Sequence, residues 1–206
     1  VPVLRYDRRG IGDSSGDNAE FDGSSDDIAA ATAALRTTGV SRIVGFGNCD
    51  AASALALFHH RAGIDALVLS NPWTGGGGED DLPQSAAIKA RYVERLRDPR
   101  EWLRLLRGGV NLRKLAGGLL KVARSGSEDH ALVDRMGAAL RASGVPTTIL
   151  LATRDNTAVA FGDAWGKSTQ RTDARLETLD SASHSYAGAS DKAWLLERLS
   201  KAVDAT

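Results

Sequence analysis

Five short runs rich in valine, isoleucine and leucine alternate with helical patterns along most of this chain, and that alternation leaves few folds open. The runs are Val1–Asp7, Ser41–Phe46, Ala66–Asn71, Thr147–Thr153 and Arg175–Leu179. Between them lie Ser25–Thr37, bounded by Gly39, and Asp50–Arg61, bounded by Gly63. Glu128–Ala142 stops at Ser143-Gly144 with Pro146 just beyond, and Asp191–Val203 closes the alternation. Nearly continuous apolar strands joined by helices predict an α/β fold, a mostly parallel sheet with helices on both faces. Its crossovers should be right-handed.

One stretch breaks the pattern. Residues 82 to 124 hold helical segments, roughly Leu82–Leu96, Pro99–Leu106 and Leu112–Ala123, with no strand between them. They follow the glycine run Gly75–Gly78, a hinge by composition. The expected organisation is a core of residues 1–73 and 125–206 with a helical lid, residues 74–124, over the carboxyl edge of the sheet. Ligands bind at that edge in open α/β sheets.

The bulk properties narrow the chemistry. A chain of 206 residues can bury a substantial core. Its 26 basic and 26 acidic residues give no net field to attract nucleic acid or a membrane surface. No apolar run approaches the ~18 residues of a membrane span, and the first residues, VPVLRYD, are expected to be a buried strand and not a secretory signal. Cys49 is the one cysteine, so no internal disulfide forms, and a reducing, cytoplasmic compartment is expected. Four scattered histidines and one cysteine offer no metal-ligand spacing, and no G-x-G-x-x-G opens a first helix. The expectation is no metal and no cofactor.

Two places compete as a nucleophile turn, which needs a strand, a tight turn and a helix in immediate succession. Gly12-Asp13-Ser14-Ser15-Gly16 matches G-x-S-x-G by letter. Yet Ser14 stands well past the end of its strand, and the next helix starts about ten residues later. Ser14 therefore reads as part of a loop whose glycines supply permissive backbone angles. In Arg42-Ile-Val-Gly-Phe-Gly-Asn-Cys-Asp-Ala-Ala-Ser53 the strand runs straight into Gly47-Asn48-Cys49-Asp50-Ala51, and small helical residues follow. This G-x-C-x-A turn puts a thiol where serine hydrolases carry a hydroxyl, so Cys49 is the expected nucleophile. A lone cysteine is otherwise most often a small buried hydrophobe.

A nucleophilic cysteine needs a base, and the base an orienting acid. Asp155 follows the strand Thr147–Thr153, and His184 follows the last strand in the loop before the final helix, completing the chain order nucleophile, acid, histidine. Asp163 is the weaker alternative acid. His59 and His60 sit late in a helix, where cations are favoured, and His130 opens one. The backbone N–H of Asp50 is the expected oxyanion donor, and Asn48 and Trp73 are candidate substrate contacts.

These residues resemble the α/β-hydrolase superfamily, whose D-x-R-G-x-G-x-S loop is similar to Asp7-Arg8-Arg9-Gly10-Ile11-Gly12-Asp13-Ser14. A closer resemblance is to exosortase A-associated hydrolases of the first type. It is carried by VPVLRYDRRGIGDSSGD, GFGNCDAASA, LVLSNPW, REWLRLLRGGVNLRKL and the pair DNTAVAF/SHSYA. The resemblance implies an esterase- or thioesterase-like enzyme linked to bacterial exopolysaccharide and protein-sorting systems. It also implies about three strands ahead of Val1, with a loop donating the second oxyanion N–H. The expectation is that a missing N-terminal segment or a partner chain completes the sheet.

The substrate is expected to be a small-molecule or carrier-bound acyl compound. Between Lys89 and Arg124 stand 11 Lys or Arg against 3 Asp or Glu, a bias that suits an anionic carrier or, equally, a solvated helix face. Dienelactone hydrolases, with similar Cys-His-Asp sites, supply the alternative enzyme class. A non-catalytic binding protein on the same fold is the alternative outside enzymes.

Overall fold

The computed structural model describes residues 1–18, 23–74, 130–170 and 172–205. Four strands, β1 (Val44–Asn48), β2 (Ala66–Ser70), β3 (Thr147–Ala152) and β4 (Arg175–Leu179), form one sheet in the order β1-β2-β3-β4. Every pairing is parallel, with Val44 opposite Ala66, Leu67 opposite Thr147 and Thr148 opposite Arg175. Five helices are described: α1 (Ser24–Arg36), α2 (Asp50–Ala62), α3 (130–143), α4 (Asn156–Lys167) and α5 (Ala189–Asp204). The α/β alternation read from the sequence is the architecture found. The expected lid, residues 74–124, lies outside the described residues beyond Thr74.

The core forms because β2 is apolar at consecutive positions. Leu67 and Leu69 point into the main cluster, and Val68, on the opposite face, is just as buried. Ala52, Ala54 and Ala56 let α2 close on the sheet with little side chain between, and α3 adds Leu132, Val133, Met136 and Leu140 at helical spacing. Phe161 of α4 and Ile149 and Leu151 of β3 fill the other end. Each fully buried large aliphatic contributes roughly 1.5–3 kcal/mol. Helix α2 stops at Gly63, whose left-handed conformation (φ 63°) lets the amides of Gly63 and Ile64 reach the last-turn carbonyls of His60 and His59.

Two expectations change. Val1–Asp7 forms no strand: it joins no ladder among the described residues, and Val1 and Val3 are 91% and 88% exposed. Apolar residues make a strand only where a neighbour offers backbone partners, and β1 lies across a groove of about 320 Å³ from Leu4 and Tyr6. His59 is not a helix-end cation in solvent. It is fully buried, its Nδ1 bonded to the Leu55 and Ala56 carbonyls and its Nε2 2.7 Å from Ser143 Oγ. Burial pushes its pKa below the usual histidine value.

Candidate active site

The carboxyl ends of β1, β3 and β4 meet at one edge of the sheet, and each delivers one candidate residue. At the end of β1 the chain turns so sharply that Cys49 adopts φ 58° and ψ −125°, a conformation side-chain-bearing residues avoid. Gly47 makes the turn possible, since a Cβ there would sit 2.7 Å from the backbone of Ala51 and Ala52. The Cys49 carbonyl anchors the elbow by accepting from the amides of Ala52 (3.1 Å), Ser53 (3.3 Å) and Trp73 (3.2 Å). Cys49 is left partly exposed.

Asp155 caps α4, its Oδ2 accepting from the Ala158 N–H at 3.0 Å. The same oxygen lies 3.0 Å from His184 Nδ1. The Cys49 side chain also interacts with the His184 ring. The hydrogen bond that His184 donates to Asp155, and after it the one with Cys49, push the His184 pKa up to about 10, against the opposing effect of burial. Asp163, the alternative acid, is exposed on α4 and pairs with Lys167 at 2.6 Å, away from the histidine.

The amides at the start of α2 are nearly all spoken for. The Cys49 N–H donates to Ser70 O, the Ala51 N–H to the Asp50 carboxylate, and the Ala52 and Ser53 amides to Cys49 O. Among the described residues no acceptor meets the Asp50 N–H. This is the amide expected to face an oxyanion.

The other candidates are placed differently. Asn48, with its amide oriented to satisfy both ends, accepts from His184 Nε2 at 3.3 Å and donates to Ser70 Oγ at 2.8 Å. It therefore faces the histidine. Trp73 packs partly against the core, and its carbonyl accepts from Ser53 Oγ at 2.6 Å. Ser14 donates from Oγ to Asp7 O at 2.8 Å, in a loop turned by Gly12, where a Cβ would collide with the Asp7 carboxylate.

The structure adds Asn71, which sequence reasoning passed over. Fully buried with φ 41°, it donates from Nδ2 to the His184 carbonyl at 3.0 Å and accepts from the Ala152 N–H at 2.9 Å. It ties the histidine loop to the end of β3. Tyr186, buried and stacked on Trp194, closes the same loop and donates to Asn71 Oδ1 at 3.4 Å. An asparagine directly after the strand Ala66–Ser70 was the available signal.

The sequence profile of the alpha/beta hydrolase family matches residues 1–197. The chain belongs to the alpha/beta hydrolase family. Among solved structures, this alpha/beta hydrolase is similar to a bacterial membrane phospholipase A described as a novel virulence factor. The two are 17% identical with a TM-score of 0.45, over 95% of this chain and 69% of the other. No curated protein matches at a significant level. Among the described residues of the hydrolase, no group of three His, Cys, Asp or Glu could hold a metal ion, and no helix is long and apolar enough to cross a membrane.

Proposed function

We propose that this hydrolase cleaves ester or thioester bonds through an acyl-enzyme on Cys49, with His184 as base and acid and Asp155 as its orienting partner. The observation that carries this reading is the strained Cys49 elbow set beside a histidine whose far nitrogen lies 3.0 Å from Asp155. His184, its pKa pushed up to about 10 chiefly by its bond to Asp155, is the base that takes the thiol proton as the sulfur attacks. The thiolate attacks the acyl carbon, and the carbonyl electron pair moves onto oxygen, facing the Asp50 N–H. The tetrahedral adduct collapses, the bond to the leaving oxygen or sulfur breaks, and His184 gives that atom its proton. Water then attacks the thioester while His184 accepts its proton, releasing the acid and regenerating Cys49.

A thiolate leaves more easily than an alkoxide, so activated acyl groups suit this site better than amides. The second oxyanion donor, and a strand along the open side of β1, come in this reading from another segment of polypeptide. The resemblance in VPVLRYDRRGIGDSSGD, GFGNCDAASA and SHSYA supports a place beside exosortase-associated hydrolases and a bacterial exopolysaccharide context. The test is hydrolysis of a panel of thioesters, aryl esters and amides by the wild type and Cys49→Ala. Turnover of the first two that is lost in the variant supports the reading, and turnover that survives in Cys49→Ala removes it.

A further inference from the structure

Asp50 poses an electrostatic problem. Its N–H faces the oxyanion position, yet its own carboxylate is a unit negative charge on the residue next to the nucleophile. Left alone, that charge would oppose both the thiolate and the oxyanion. The side chain is only half exposed, so water screens it incompletely, and its Oδ1 is fixed on the Ala51 N–H at 2.9 Å.

Arg8 answers it. From the loop after the first apolar run, Arg8 donates from Nη2 to Asp50 Oδ2 at 3.0 Å and from Nη1 to Ser24 Oγ at 3.2 Å. Ser24 is buried at the start of α1, and the Arg8 side chain is itself only 26% exposed. The guanidinium is thus held between two helix starts, with the carboxylate on the groove side of the elbow. Arginine keeps its charge throughout the working pH range, and its fork makes both bonds at once.

Resting on the reading of Cys49 as nucleophile, we propose that Arg8 is a positioning residue that cancels the Asp50 charge beside the developing oxyanion. Its role is to neutralise charge at the elbow, not to contact substrate.

The test compares alkylation of Cys49 by iodoacetate, an anion, with that by neutral iodoacetamide, in the wild type, R8Q, D50N and R8Q/D50N. The ratio of the two rates reports the potential at the thiol. It should fall about threefold or more in R8Q, rise in D50N, and return towards wild type in the double variant. The kcat for an aryl ester should follow the same order with little change in KM. A role confined to holding the loop would move both single variants in the same direction. That outcome, or ratios that do not separate, overturns the proposal. If R8Q does not fold, D50N decides alone, because an unchanged ratio there is already fatal. Hydrolysis that survives Cys49→Ala brings down the triad reading instead. Hydrolysis lost in Cys49→Ala with ratios that fail to separate brings down only the role of Arg8.

Discussion

Asp155 Oδ2 serves two partners at once, the Ala158 N–H at 3.0 Å and His184 Nδ1 at 3.0 Å. One oxygen therefore caps a helix and aims a histidine, and substitutions can separate the two duties. Asp155→Asn keeps an acceptor for the cap, so α4 should stay folded and the stability lost should be the pH-dependent part that the His184 ion pair supplies. The loss of charge opposite the imidazole should lower kcat by about 10²–10⁴-fold. Chemical denaturation and steady-state kinetics on the same preparation check the split. Parallel small losses in both would count against it.

Stability should also carry the signature of His184. Its folded pKa is raised from 6.5 to about 10, so its contribution is fully present below about pH 6.5 and is lost as pH rises through about 10. The denaturation midpoint of the wild type minus that of His184→Gln should shrink steadily across that window. A difference that stays constant from pH 6 to 10 would contradict the ion pair.

Gly47 is fixed by space, since its absent Cβ would lie 2.7 Å from the backbone of Ala51 and Ala52. Gly47→Ala must push the start of α2 away from β1. The expected cost is about 1–3 kcal/mol, read from urea denaturation, with a fall in Cys49 labelling rate.

Asn71→Ala removes the partners of the Ala152 N–H and the His184 carbonyl in a buried setting. A destabilisation of about 2–3 kcal/mol is expected. Turnover should fall with it, because the histidine loop loses its tie to β3. Ser14→Ala is the contrasting case. It removes one hydrogen bond to Asp7 O and should leave Cys49 labelling unchanged.

Much of this was legible in the sequence, and the reasons are local. The elbow could be read because Gly47, Cys49 and the first alanines of α2, Ala51 to Ala56, stand close together in the sequence. Asp155 and His184 could be placed because each follows a recognisable strand. Other features depend on contacts between distant segments. Asn71 and His184 are 113 residues apart, and Arg8 and Asp50 are 42 apart, so no local pattern announces either pair. Val1–Asp7 misled for a related reason: its composition suits a strand, but strands are made by their neighbours. His59 looked like a helix-end cation until Ser143 of α3 was found against it.

The central claim is that the acyl group passes through the Cys49 sulfur. Rapid acid quench after mixing the protein with an excess of a short-chain thioester, followed by peptide mass spectrometry, observes that step directly. The account predicts a transient mass increase equal to the acyl group on the peptide containing Cys49, and none in Cys49→Ala. An acyl adduct at Ser14 or any other residue, or turnover that continues in Cys49→Ala, would contradict it.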